Sequence, residues 1–249
     1  MEKRHGQAGE ISIQSFMEGR EPGQSWPAAR TPPAFFPLPH TGEGERARDR
    51  EVAGVFSFLS SQDTALFYLV NGYGQNLFFD WFMPFMTELK NFTYVLIALG
   101  VWILWKERKA GLIFLLFVGL TLTITDQLSS KVLKEIIGRV RPCHVLENVH
   151  MLTDCNTSYS FPSSHAVNIF AAALFLAQPL GRAAPVFFGI AAIVAYSRVY
   201  IGIHYPFDVL GGAAIGLLIA WPMRRLKDEV VARFHLQNAA PSPPQTGKV

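Results

Sequence analysis

The chain alternates between long apolar stretches and short polar ones over most of its length. Such all-round apolar stretches are typical of membrane-spanning helices rather than of amphipathic helices in a soluble protein. Several are shorter than the roughly 20 residues that a spanning helix needs. We therefore expect the helices to continue into flanking polar residues that lie near an interface or in a polar pocket. Five stretches contain no charged residue: 91–105, 110–125, 155–181, 183–197 and 209–223.

The remaining segments are more polar. Residues 52–90 hold apolar patches interrupted by polar residues such as Asp63, which favours amphipathic helices at the membrane surface, with a sixth span as the alternative. Residues 1–51 lack any helical or strand period and are predicted to be a flexible tail. Residues 225–249 are predicted to be a cytoplasmic tail. The predicted fold is all-α, a polytopic membrane bundle with five or six transmembrane helices and a catalytic core in 91–224.

Composition and charge narrow the class of protein. The chain is 50% hydrophobic and 16% charged, which excludes a disordered or fibrous protein. Its net charge of +3 is small, and its basic residues form separate clumps, which argues against a nucleic acid partner. These clumps occupy alternate loops, at 106–109, Arg182 and 224–227, as is typical of cytoplasmic loops. The intervening loops, 126–164 and 198–208, are therefore predicted to face outward. A soluble bundle is the alternative.

The outward ends of the predicted spans carry unusual basic residues. Lys134 and Arg141 are seven residues apart, about two helical turns, so their side chains are predicted to point to one place. Pro142 is predicted to end that helix.

The same ends also carry polar residues with catalytic potential. Residues 162–165 read Pro-Ser-Ser-His, in which Ser163 is a good N-cap, and the N–H groups after it favour an anion such as phosphate. Arg198 ends the fourth span. Asp208 follows His204 by four residues and can orient it. One membrane face is thus predicted to carry three cations, two histidines, a carboxylate and a helix N-terminus. Such a group destabilises a membrane protein, so we expect it to have a function.

These residues form a three-part pattern. Residues 134–142 read K-x6-R-P, residues 162–165 read P-S-S-H and residues 197–208 read S-R-x5-H-x3-D. The pattern resembles the signature of the type 2 phosphatidic acid phosphatase (PAP2) superfamily, integral membrane lipid phosphate phosphatases related to vanadium haloperoxidases. The helical pattern extends the likeness over 91–223. Ser164 stands where the eukaryotic pattern usually has Gly, but it retains the backbone N–H.

The resemblance implies a role for each residue. His204 would attack phosphorus and form a phosphohistidine, and Asp208 would fix its tautomer and stabilise the imidazolium. His165 would protonate the leaving oxygen as general acid. Because three cations already neutralise a phosphate, no metal and no other cofactor is expected. The phosphate would be bound by Lys134, Arg141, Arg198, Ser163 and Ser164.

Other functions fit parts of the pattern. A serine hydrolase using Ser164, His204 and Asp208 would lack the G-x-S-x-G turn. A metal site of His165, His204 and Asp208 would hold a divalent ion beside Lys and Arg side chains, which repel it. A non-catalytic protein that binds or transports lipids could share the fold without retaining every catalytic position. A vanadate-dependent haloperoxidase would not need the membrane spans.

The expected partners are the bilayer and a lipid phosphate whose headgroup lies at the membrane face, and no feature predicts an oligomer. In a bacterial chain, undecaprenyl diphosphate, phosphatidylglycerol phosphate, phosphatidic acid and lipid A phosphate are all candidates. Small size and an outward site favour the undecaprenyl diphosphate type, with the site on the periplasmic face of the inner membrane. There Cys143 and Cys155 can form a disulfide, with two free cysteines as the alternative. His144 and His150 in the same loop are expected to be solvated.

Overall fold

The computed structural model describes residues 58–239 of the 249-residue chain, with side chains described to residue 233. Every regular element in this range is helical, which agrees with the predicted all-α fold. The predicted tail at 1–51 lies outside the described residues, and so does the end of the C-terminal tail. The described helices are α1 (58–71), α2 (Leu77–Thr87), α3 (Thr93–Gln127), α4 (Lys134–Ile137), α5 (Pro142–Val145), α6 (Ser164–Leu176), α7 (Ala184–Tyr200) and α8 (Pro206–Ala239).

Helix α3 folds back on itself. Arg108 has φ 50° and ψ −116°, which breaks the helix into two arms within the charged loop expected between the first two spans. Ile103 of one arm and Phe114 of the other lie in one buried apolar cluster. A Cβ on Gly111 would lie 2.7 Å from the carbonyl oxygen of Ile103, so the arms approach closely only because this residue has no side chain.

Three helical stretches of the described residues are long and apolar enough to cross a membrane: Leu89–Val145, Gly181–Tyr200 and Pro206–Arg233. The first contains both arms of α3. Helix α6 is also apolar but has only 13 residues. Large apolar side chains on these helices face outward, and Trp105 and Leu218 are 78% and 73% exposed. Lipid contact requires such outer faces.

Helices α1 and α2 occupy the segment in which amphipathic helices are predicted, and each has one buried side. In α1, Phe67 is fully buried, whereas Leu69 is 60% exposed. Phe67 packs in a cluster with residues of α6, α7 and α8. In α2, Met83 is buried against the end of α7, whereas Trp81 is 65% exposed. The polar residues of α1 therefore come close to the predicted catalytic core.

The prediction that Pro142 ends the helix carrying Lys134 is wrong. Helix α4 ends at Ile137, because Gly138 adopts the left-handed conformation (φ 62°) and its N–H donates to the carbonyl oxygen of Lys134 at 2.9 Å. Pro142 instead begins α5. A proline is tolerated at this position because the first N–H groups of a helix have no partner within the helix. Lys134 and Arg141 are therefore not on one helix face, and the turn between them brings their side chains together.

The loop between α5 and α6 folds onto the bundle. A disulfide joins Cys143 and Cys155, whose Cα atoms are 6.2 Å apart, which confirms the predicted bridge. His144 is exposed as expected, but the expectation for His150 is wrong. The His150 side chain is only 10% exposed, and its Nε2 lies 2.9 Å from the Oδ1 atom of Asp80. This burial results from the loop packing against α1, α2 and α7.

Candidate active site

His204 lies in the turn between α7 and α8 and is 2% exposed. Its Nδ1 atom is 3.6 Å from Oδ2 of Asp208 and 3.5 Å from Oγ of Ser160, and its Nε2 atom is 3.2 Å from Nη1 of Arg141. A carboxylate can only accept a hydrogen bond and a guanidinium can only donate one. Asp208 and Arg141 therefore both favour the tautomer with a proton on Nδ1 and a lone pair on Nε2.

The protonation state of His204 suits a nucleophile. Burial lowers its pKa to about 3, the cations Arg141 and Arg198 act in the same direction, and Asp208 opposes them. The imidazole is therefore neutral near pH 7. A neutral ring with an unprotonated Nε2 atom is what attack on phosphorus requires.

Asp208 is fully buried at the start of α8 and has donors on both carboxylate oxygens. Its Oδ2 atom accepts the Tyr205 N–H at 2.9 Å and the Ser160 hydroxyl, and its Oδ1 atom accepts from Nη1 of Arg139 at 2.7 Å. The carbonyl oxygen of Asp208 accepts the N–H of Ser163 at 3.0 Å. This last bond ties the start of α8 to the N-terminus of α6.

Two of the predicted phosphate-binding cations are buried. Lys134 is 5% exposed, and its Nζ donates to the carbonyl oxygen of Tyr159 at 2.6 Å. Arg141 is 4% exposed and donates to the carbonyl oxygens of Ser158, at 2.7 Å, and Ile203, at 2.9 Å. It also donates to the Ser158 hydroxyl at 2.9 Å. All of these acceptors are neutral.

The third cation, Arg198, makes one hydrogen bond, from Nη1 to Oγ1 of Thr87 at 2.7 Å. Its Nε is buried and has no partner in the described part of the chain, and the same holds for Oγ of Ser163. Buried polar atoms without partners are rare and destabilising. Within residues 58–233, no carboxylate lies within 4.0 Å of Lys134, Arg141 or Arg198.

Helix α6 begins beside these cations. Ser163 is its N-cap residue as predicted, but its side chain makes no capping bond. The Ser164 hydroxyl lies 3.1 Å from the hydroxyls of both Ser129 and Ser130. His165 has an exposed side chain. The groups that interact with it electrostatically are Arg198, His204, Lys134 and Arg141.

Four residues that the sequence analysis did not select support the site. Arg139 bonds to Asp208 and, through Nη2 at 2.6 Å, to Oδ2 of Asp63. Ser160 bonds to Asp208, and Thr87 bonds to Arg198, as described above. Arg139 is one of the six unspecified positions of K-x6-R-P, and Asp63 belongs to a segment with a weak pattern. The sequence feature that could have indicated Asp63 and Arg139 is that each is a charged residue in an apolar context.

One group of side chains in the described residues has the spacing of a metal site. Ligand atoms of Cys143, His144 and Cys155 lie within 4.8 Å of one another. Because the two sulfurs are joined in the disulfide, they cannot act as thiolate ligands.

Known proteins resemble this chain in sequence. A model of the PAP2 superfamily matches residues 110–231. A lipid A 4'-phosphatase from Bacteroides thetaiotaomicron is 32% identical over 198 residues, which cover 76% of this chain and 86% of that protein. The chain belongs to the PAP2 superfamily. Phosphatidylglycerophosphatase B from Bacillus subtilis is 36% identical over 151 residues, covering 56% of this PAP2 chain and 68% of the relative.

Solved structures of PAP2 proteins have the same fold. The crystal structure of Aquifex aeolicus LpxE has a TM-score of 0.53 and 26% identity, covering 65% of this chain and 94% of that one. A transmembrane PAP2 type phosphatidylglycerolphosphate phosphatase from Bacillus subtilis has a TM-score of 0.54 and 29% identity, covering 69% and 87%. This PAP2 protein is therefore an all-helical integral membrane protein. Its predicted class, a hydrolase of lipid phosphates, is confirmed.

Proposed function

We propose that this PAP2 protein hydrolyses a lipid phosphomonoester or diphosphate through a phosphohistidine at His204. The main support is the charge of the site: Arg141 and Arg198 interact with this histidine, and Lys134 joins them near His165. The hydrogen-bond acceptors of all three cations in the described residues are neutral. Their positive charge is therefore available to an anion. The unpartnered Nε of Arg198 and Oγ of Ser163 provide two more donors for phosphate oxygens.

The first chemical step is phosphoryl transfer to the enzyme. The Nε2 lone pair of His204 forms a bond to phosphorus, and the bond from phosphorus to the leaving oxygen breaks. The leaving oxygen takes the electron pair and a proton from His165, whose side chain is exposed and interacts with the three cations and His204. The imidazole keeps its Nδ1 proton and becomes positive, so the nearby Asp208 carboxylate stabilises it.

The second step is hydrolysis of the phosphohistidine. Water attacks phosphorus, gives a proton to the now neutral His165, and the bond from phosphorus to Nε2 breaks with its electron pair returning to His204. Inorganic phosphate leaves and the enzyme is restored. In both steps Lys134, Arg141, Arg198 and the free N–H groups of Ser164 and His165 bind the equatorial oxygens, where the transition-state charge accumulates.

The proposed substrate is a lipid whose phosphate lies at headgroup depth, of the undecaprenyl diphosphate, phosphatidic acid or phosphatidylglycerol phosphate type. Named relatives act on several such lipids, and an undecaprenyl-diphosphatase from Sulfolobus acidocaldarius is 29% identical over 161 residues, covering 63% of this chain and 74% of that protein. We propose a location in the bacterial inner membrane with the site on the periplasmic face. Basic residues at 106–109, where the two arms of α3 meet, and at 224–227, in the second half of α8, support this orientation. The disulfide of Cys143 and Cys155 supports it too, because such bonds persist in oxidising compartments.

Phosphate release by purified protein in detergent tests the reaction. We expect release from at least one lipid of a panel that includes those three types and lipid A. His204→Asn should lose activity by about 10⁴-fold or more on every substrate. Rapid quenching with a radioactive lipid phosphate should label the wild-type protein through an acid-labile bond. An active His204→Asn protein would refute the nucleophile, and lipid binding without phosphate release would favour the non-catalytic alternative.

A chelator tests the metal alternative on the same preparation. We expect EDTA to leave phosphate release unchanged, because protein cations supply the positive charge. Loss of activity that a divalent ion restores would favour the metal site instead.

The leaving group tests the role of His165. A general acid matters most when a strongly basic alkoxide departs and least when a phosphate departs from a diphosphate. His165→Ala should therefore slow hydrolysis of phosphatidic acid more than hydrolysis of a polyprenyl diphosphate. Equal slowing of both reactions would mean that His165 binds phosphate and is not the acid.

Labelling of introduced cysteines tests the orientation. A membrane-impermeant thiol reagent added to intact cells should label Glu147→Cys and leave Arg108→Cys unlabelled. The reverse pattern would place the site in the cytoplasm.

A further inference from the structure

Arg139 bridges two carboxylates beneath His204. Its Nη1 atom is 2.7 Å from Oδ1 of Asp208 and its Nη2 atom is 2.6 Å from Oδ2 of Asp63. Both carboxylate side chains are fully buried, and the Arg139 side chain is 13% exposed. The guanidinium lies over the ring of Tyr205, 4.0 Å from its centroid. One guanidinium is thus shared between Asp208 and an acid from α1.

Asp63 has a second contact with the start of α8. Its Oδ1 atom accepts the N–H of Phe207 at 2.8 Å, while its Oδ2 atom accepts from Arg139. A donor on each oxygen is the pattern of an ionised carboxylate. Because Phe207 immediately precedes Asp208, Asp63 contacts both the backbone that carries Asp208 and the cation that orients its side chain.

The net charge of Asp63, Arg139 and Asp208 is balanced in the proposed phosphohistidine intermediate and unbalanced in the resting enzyme. Asp63 and Asp208 carry two negative charges and Arg139 carries one positive charge, so the group has a net charge of −1 while His204 is neutral. Phosphorylation at Nε2 makes the imidazole positive and balances that charge. If Asp63 were absent, Arg139 and Asp208 would already be a neutral pair, and Asp208 would attract the imidazolium less strongly.

We infer that Asp63 is a positioning residue for catalysis: it shares Arg139, so that Asp208 keeps both its orientation and its negative charge for the His204 imidazolium. The inference rests on the proposed function and deepens it. It assigns α1, the helix before the family motifs, a supporting part in the chemistry. Asp63 does not touch the substrate and acts through Arg139 and Asp208.

Kinetics of Asp63→Asn test the inference. The amide has the same shape and lacks the charge, so we expect kcat to fall about tenfold while KM stays within about twofold. The rate of phosphohistidine formation in a single turnover, measured per phosphorylated site, should fall by the same factor. This rate is independent of any unfolded fraction. Asp63→Glu, which restores the charge, should recover most of the activity.

Two further variants separate a charge effect from a structural one. If Asp63 acts through Arg139, then Asp63→Asn should add little to the defect of Arg139→Gln, because the link is already broken. If Asp63 only anchors Phe207, its effect should persist in full in the Arg139→Gln protein. Asp228→Asn is the matched control, because this acid also pairs with a cation, Lys227, but lies about 30 Å along α8 from Asp208. It should keep wild-type kcat.

The outcomes are distinguishable. The inference is supported by a tenfold loss in kcat that Glu rescues and that disappears in the Arg139→Gln background. Wild-type kinetics for Asp63→Asn, or an undiminished effect in that background, would overturn it. If His204→Asn is still active or no phosphohistidine forms, the proposed function itself fails, whatever Asp63→Asn does.

Discussion

The two ends of the candidate membrane span in α8, Pro206–Arg233, differ in how they pair a buried cation. Near the C-terminal end of this span, Lys227 is 6% exposed, bonds to the amide oxygen of Gln178 and forms an ion pair with Asp228 at 2.8 Å. Gln178 also donates to Asp228 at 2.7 Å. The charge of Lys227 is thus neutralised within the protein, and its polar atoms have partners.

The other end of α8 lies beside cations that are not neutralised. Arg141 is as buried as Lys227, yet it bonds to carbonyl, hydroxyl and imidazole groups. Arg198 has one hydroxyl partner and a buried Nε without any in the described residues. Desolvated positive charge without an anion is destabilising. The difference indicates that one end serves stability, whereas the other keeps its charge for a ligand.

Within this comparison, the largest difference should come from removing one cation at a time, either Arg198 or Lys227. Arg198→Gln should lower kcat by about 10²- to 10³-fold, because it loses charge stabilisation made mainly in the transition state. Lys227→Gln should leave kcat unchanged and lower the melting temperature, because Asp228 loses its cationic partner. Phosphate release and thermal unfolding in the same detergent measure both. Equal kinetic losses would remove the distinction between the two ends.

Oxyanion binding should stabilise the protein through the active-site end alone. Orthovanadate at 100 times its Kd should raise the free energy of unfolding by about 2.7 kcal/mol. The shift in melting temperature should survive in Lys227→Gln and be largely lost in Arg198→Gln. A vanadate shift that Arg198→Gln retains would mean that the anion binds elsewhere.

Lowering the pH should lower the free energy of unfolding because of His204. Its pKa is about 3 in the folded protein and 6.5 ordinarily, so the unfolded chain binds the proton first as the pH falls. The stability present above pH 6.5 is therefore lost towards pH 3, at about 1.4 kcal/mol per pH unit. Between pH 7 and pH 5 the wild type should lose about 2 kcal/mol more than His204→Asn, measured by thermal unfolding. Parallel losses in the two proteins would contradict a neutral buried His204.

The smallest effect should come from removing the single hydrogen bond that Arg198 donates to Thr87. Thr87→Val keeps the shape of the side chain and removes the hydroxyl that accepts from Nη1. We expect kcat/KM to fall about three- to tenfold, the effect of about 1 kcal/mol, because a guanidinium without its anchor is less well oriented. Thr87→Ser should behave as wild type. Identical values for the Val and Ser variants would show that Thr87 does not position Arg198.

The sequence predicted the residues that carry the proposed chemistry better than the backbone that brings them together. Lys134, Arg141, His204 and Asp208 have distinctive spacing, and the structure joins them as expected. The prediction that Lys134 and Arg141 share one helix was wrong. Gly138 adopts a positive φ and ends the helix before Pro142 is reached.

The supporting residues could not be predicted for a different reason. Asp63, Arg139 and Ser160 acquire their roles from hydrogen bonds between segments far apart in the chain. Nothing in the local pattern of α1 specifies which part of the bundle it contacts. Burial of Asp63 became interpretable only once its partners Arg139 and Phe207 were known.

The close packing of α6 against α8 constrains how the site can deform. A Cβ on Gly212 would lie 2.8 Å from the carbonyl oxygen of Ser163, and one on Gly216 would overlap the carbonyl oxygen of Val167. With their backbones in such contact, the helices that carry His165 and Asp208 can neither slide nor tilt independently, so they behave as one stiff body. Any adjustment to a bulkier or smaller headgroup must therefore occur outside this pair of helices. A change of substrate preference should accumulate substitutions in other elements and leave the contact between α6 and α8 unchanged.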